Sequence, residues 1–119
     1  MKKLIALEEL FLALLAFYLF MTLDYAWWLF FALFFVPDPS MLGYVFGSNA
    51  GALTYNLAHH KGIAIALFLL GSTLQAPALQ LAGTILLAHS SFDRVLGYGL
   101  KYADSFQNTH LGRIGRPAA

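Results

Sequence analysis

Several residues of this chain have the types and the spacing of a metal centre. His89 and Asp93 stand four apart, Asn56 and His60 four apart, and Asn56 and His59 three apart, so each pair shares one face of a helix. Two helices thus each present an imidazole nitrogen and an oxygen-bearing group, and Asp38, between Pro37 and Pro39, adds a carboxylate. Imidazole with carboxylate suits zinc, manganese or iron. A divalent transition metal on His59, His89, Asp93 and Asp38, with one position left open, lowers the pKa of bound water and supplies a nucleophile for ester or phosphoester hydrolysis. In that scheme Asp93 and Asn56 are the catalytic groups, Asn56 orienting the reactants, and Glu8 or Glu9 offers a further carboxylate.

Arg94 and Lys101 follow directly on the His89–Asp93 pair, among glycines that let a ligand approach the backbone closely. A guanidinium fork suits phosphate geometry, so these two residues are the expected contacts to a phosphate or lipid headgroup. Every one of these side chains also has a plainer role open to it. Asp93 could pair with Arg94 or Lys101, His89 could bond a neighbouring helix, and His60 with Lys61 could lie at an interface. His110, Tyr98 and Tyr102 read as surface or interfacial residues.

The elements that must position these groups follow from composition. The chain has 119 residues, 60% of them hydrophobic and only 11% charged, whereas soluble domains carry about 25% charged residues. The expected solvent is lipid. A crossing takes about 20 apolar residues, so the chain has room for a single-domain, all-α integral membrane bundle of about four transmembrane helices. The expected spans are 4–23, 25–36, 50–70 and 78–96, followed by a polar cytoplasmic tail over 97–119. Tyr25, Trp27 and Trp28 suit an aromatic belt, Pro37 and Pro39 should end the second span, and the segment after them reads as a short interfacial or re-entrant helix.

Orientation follows from the basic residues. Lys2 and Lys3 lie at one end and Arg94, Lys101, Arg113 and Arg116 at the other, while the turns at Asp24 and at 71–77 carry none. The positive-inside rule then places both termini in the cytoplasm of a multi-pass protein of the bacterial inner membrane. On this topology the histidines and carboxylates gather in the cytoplasmic half, where a metal-dependent hydrolase would meet a lipid or lipid-linked ester. Two other functions fit the same residues: a non-enzymatic module that binds or transports an ion or small molecule, as a homo-oligomer because four short spans enclose little volume, and a structural partner docking through Phe30, Phe31, Phe34 and Phe35. A net charge of +1 gives no general attraction to nucleic acid, and the absence of cysteine excludes disulfides and thiolate ligands.

Longer motifs carry a resemblance. Pro37-Asp38, Ser40-Met41-Leu42-Gly43-Tyr44, Tyr55-Asn56-Leu57 with His59, His89 with Phe92-Asp93-Arg94, Leu96-Gly97-Tyr98-Gly99-Leu100-Lys101-Tyr102 and Thr109-His110-Leu111-Gly112 occur in that order. The chain resembles in these a family of small bacterial membrane proteins classed as a domain of unknown function (DUF4260-like), which implies a small multi-span fold and no particular activity. It is also similar, more distantly, to inner-membrane metal-dependent hydrolases, through Pro37-Asp38, His59 and His89 with Asp93. Ser40 stands where that second pattern would have another acidic residue.

Overall fold

A computed structural model describes residues 1–36, 38–101 and 108–113, without the side chains of residues 38–41, 108, 112 and 113. Helix α1, Lys2–Met21, runs through a leucine-rich stretch free of glycine and proline. It stops at Thr22, whose hydroxyl donates to the Leu19 carbonyl at 2.6 Å and satisfies one of the carbonyls that a helix end leaves open. Helix α2, Trp27–Leu33, begins after the extended Ala26 and has only seven residues. The residue before a proline is driven out of the helical region, and the chain leaves α2 through a turn over 34–36 ahead of Pro37.

That length corrects the expected span 25–36. Seven residues rise about 10 Å, against the roughly 30 Å of a hydrocarbon core. A 3-10 helix, Asp38–Phe46, follows where the interfacial segment was expected and packs against helix α3, Ser48–Ala58. The contact needs a glycine, since a Cβ on Gly51 would lie 2.2 Å from the Tyr44 ring.

The expected span 50–70 is likewise not one helix. Helix α3 ends at Ala58, helix α4 covers Lys61–Leu74, and their axes differ by 45°. His60 makes the break: its backbone is extended and its Nδ1 accepts from the Ile63 N–H at 3.2 Å, capping α4. Helix α4 closes on Gln75 in the left-handed region, and helix α5, Pro77–Val95, opens with proline at a position where no N–H is needed. This last helix agrees with the expected 78–96 to within a residue at each end.

Helices α4 and α5 form a close antiparallel hairpin. A Cβ on Gly83 would come within 2.6 Å of the Ala64 carbonyl oxygen, and one on Gly71 within 2.6 Å of the Gln80 nitrogen, so backbones touch where other residues would hold them apart. Helix α1 packs along another side of α5, leaving Thr84, Ile85, Leu87, Ala88, His89, Ser90 and Ser91 of α5 buried. Phe17 and Phe20 of α1 meet Phe30 of α2 at ring separations of 4.9 and 5.3 Å and complete the core.

Many large apolar side chains are exposed, and several polar ones lie inside beside the apolar core. Helix α1 exposes Leu4, Leu7, Phe11 and Leu14 while Glu9 is buried, and Trp27, Trp28, Phe31 and Phe35 are exposed on and just beyond α2. Among the described residues α1 is the one helix long and apolar enough to cross a membrane, and α3 with α4 make a second such stretch if the bent pair counts as one. The described part of the expected tail is folded: strands β1, Asn108–Thr109, and β2, Gly112–Arg113, pair antiparallel, and Lys101 bridges to Thr109.

Candidate metal centre

The breaks in the helices create the centre. Where α2 ends, the Phe34 carbonyl lacks an intrahelical partner and takes a hydrogen bond from His89 Nδ1 at 2.7 Å. Where α3 ends, the Tyr55 carbonyl accepts from His59 Nδ1 at 2.9 Å. A carbonyl only accepts, so both Nδ1 atoms carry the proton, and in a neutral ring the lone pair is then on Nε2. Both Nε2 atoms face the same oxygen: His59 Nε2 and His89 Nε2 each lie 3.4 Å from Asp93 Oδ2. Metal-bound histidines characteristically commit their other ring nitrogen to a carbonyl or carboxylate in this way.

Size agrees with that chemistry. Ligand atoms of His59, His89 and Asp93 all lie within 4.8 Å of one another. With the ring proton on Nδ1, a neutral imidazole has no hydrogen on Nε2 to donate across either 3.4 Å separation. Ligands about 2.0–2.1 Å from a tetrahedral zinc sit roughly 3.3–3.4 Å apart. The imidazoles are buried, at 0% and 2% exposure, and Asp93 is half-buried at the rim, which gives the centre one open side.

Tyr55, for which the sequence suggested no place in the ligand set, forms a wall of the centre. Its ring stacks on His59 at 3.8 Å, nearly parallel, and its hydroxyl donates to Asp93 Oδ2 at 3.4 Å. The four-residue spacing of Tyr55 and His59 was the available signal. Lys101 lies with its ammonium 4.7 Å from the Tyr55 ring centroid. Asn56 holds it there: the side-chain amide donates to the Lys101 carbonyl at 2.7 Å and accepts from the Lys101 N–H at 2.6 Å. Asn56 is therefore occupied in docking the segment after α5 rather than directed at the histidines.

Of the remaining sequence-derived candidates, Asp38 opens the 3-10 helix, and its side chain lies outside the described residues. Arg94 is buried, with its guanidinium on the carbonyls of His59 at 3.1 Å and of Ser90 and Tyr98 at 3.4 Å each. Glu9 pairs with Lys61, joining α1 to the start of α4, and Glu8 is exposed. His60 serves as the cap already described.

Burial lowers the Lys101 ammonium to about 8, while the Asp93 carboxylate acts in the opposite direction. The unfolded chain, with its lysine near the ordinary 10.5, holds the proton that the folded state has shed between these two values. Stability should therefore rise with pH across that window. Thermal unfolding in detergent from pH 7.5 to 10.5 is expected to show the rise and Lys101→Met to flatten it; an unchanged slope in the variant would assign the effect to other groups.

The sequence model of a family described as a domain of unknown function (DUF4260) matches residues 2–114. No curated protein and no solved structure matches the chain, so the likeness to inner-membrane metal-dependent hydrolases gains no support there.

Proposed function

The chain belongs to the DUF4260 family, and we propose that it is a membrane-embedded, metal-dependent hydrolase acting on a lipid or lipid-linked ester or phosphoester at the cytoplasmic side of the bacterial inner membrane. The observation that carries this reading is the convergence of His59 Nε2, His89 Nε2 and Asp93 Oδ2 with both imidazoles held in the ligand tautomer. Two histidines and one carboxylate are the ligand complement of catalytic rather than structural zinc sites. Asp38 is the candidate for a further ligand.

A divalent transition metal, zinc, manganese or iron, would supply a Lewis acid and an activated water at this centre. The protein's own groups would do the rest. His59 and His89 would hold the ion and exclude water from its inner side, Asp93 would balance its charge at the rim, and the Tyr55 hydroxyl beside Asp93 could donate to a substrate oxygen. Arg94 and Lys101 would add positive charge near a phosphate.

Membrane insertion is supported by the exposed leucines and aromatics and by the buried glutamate. Four passages would be α1, the return through α2 and the 3-10 helix, the bent α3–α4 pair, and α5, with both termini cytoplasmic. An apolar groove of about 490 Å³ lined by Phe17, Phe30, Phe31, Phe34, Phe35 and Phe92 reaches the Phe34 and Phe35 rings that flank His89, where it would accept an acyl chain.

Elemental analysis of protein extracted from membranes without chelators tests both halves of the reading. About one transition-metal ion per chain is expected in the wild type and a small fraction of that in His89→Ala. A metal-free wild type, or equal metal in the variant, would remove the hydrolase; recovery of the chain in the soluble fraction would remove the membrane.

A further inference from the structure

A second cleft lies between the first turns of α1 and the end of α5. Its walls bring together Lys2, Lys3 and Ala6 from α1 with Arg94 and Gly97 from the other end of the chain, around a volume of about 400 Å³. Three of its lining residues are cationic and none is acidic. Lys2 and Lys3 make no ion pair among the described residues, and Glu9 is paired with Lys61. Arg94 is 6% exposed, and its guanidinium touches only neutral carbonyl oxygens among the described residues. Arg94 has the Glu9 and Asp93 carboxylates for nearby counter-charges, whereas Lys2 and Lys3, both exposed at the mouth of the cleft, have none among the described residues and are the charges that attract an anion. The start of α1 adds to the attraction, because Met1 provides no side-chain cap and no acidic residue stands in the first turn.

We propose that this cleft is a phosphate site, which at this end of the bundle takes the headgroup of an anionic phospholipid. Lys2 and Lys3 grip the phosphate oxygens from the outer side and Arg94 supplies charge from the inner wall. The cleft is wide enough for the glycerol as well as the phosphate. The inference uses the membrane placement proposed above and is independent of the metal, since neither lysine belongs to the centre formed by His59, His89 and Asp93.

The test uses the full-length protein purified in detergent, with bound lipid counted by native mass spectrometry. Dioleoyl phosphatidylglycerol, dioleoyl phosphatidylcholine and dioleoylglycerol are the probes, and inorganic phosphate is the competitor. One phosphatidylglycerol per chain is expected, held about tenfold or more in preference to dioleoylglycerol, and the double variant Lys2→Gln/Lys3→Gln is expected to lose that preference. Ala6→Phe, which fills the cleft at unchanged charge, should lose it too. Competition by millimolar phosphate would identify the free anion as sufficient; retained lipid in its presence would identify the phospholipid. Equal retention of all three lipids, or undiminished selectivity in Ala6→Phe, would overturn the site in favour of diffuse attraction. Metal content, measured on the same samples, should be unaltered in the lysine variants, so loss of the hydrolase reading and loss of the phosphate site remain separate results.

Discussion

Asp93→Asn is expected to weaken zinc binding by more than about 100-fold, since loss of even a group that only supports a ligand costs 10–100-fold. Asp93 Oδ2 is the single oxygen that faces both imidazole Nε2 atoms and also receives the Tyr55 hydroxyl. An amide at this position removes the negative charge that a divalent cation requires, and its oxygen is a poorer ligand than a carboxylate. Helix α5 should persist, because Asp93 is only partly buried and lies outside the buried stretch from Thr84 to Ser91. The measurement is a competition titration against a chromophoric chelator, with circular dichroism as the control for folding. Wild-type affinity in a folded Asp93→Asn protein would mean that the three residues are brought together by hydrogen bonding alone.

Gly83→Ala should produce the largest loss of stability among single-methyl additions. The new Cβ would stand 2.6 Å from the Ala64 oxygen and 2.7 Å from the Phe68 nitrogen, both backbone atoms that cannot swing aside. The α4–α5 hairpin must open to admit it. Overpacking costs typically 1–3 kcal/mol and occasionally more, and the upper part of that range is expected because no side chain can absorb the strain. The shift would travel along α5 to His89, less than two turns further on, so metal affinity should fall together with the unfolding midpoint in detergent. An unchanged midpoint would show that the α4–α5 hairpin can part without cost.

How far the sequence carries can be judged from particular residues. The pairing of His89 with Asp93 was legible because α5 is a regular helix in which a four-residue interval has one meaning. His59 was legible as a polar group inside an apolar stretch. The break beside it was not, because Ala58, His59, His60 and Lys61 include neither proline nor glycine. What stops α3 and starts α4 is tertiary: the His60 ring caps α4, and Arg94, 35 residues away, holds the His59 carbonyl. Asn56 was placed with the chemistry because its depth is right, but its partner is the backbone of Lys101, 45 residues on, and no local pattern announces such a contact. The second span was overestimated for a related reason. Hydropathy continues through Phe34, Phe35 and Val36, whereas the helix has already ended at Leu33.

The truncated helices have a cost for anyone mapping this protein by mutation. What fixes each imidazole is a main-chain oxygen, at Phe34 and at Tyr55, and every amino acid brings the same oxygen. Scanning positions 34 and 55 with alanine would register lost aromatic packing and leave the orienting contacts in place, so half of what shapes the centre is invisible to side-chain genetics. An amide-to-ester exchange at residue 35, which weakens the preceding oxygen as an acceptor, reaches it.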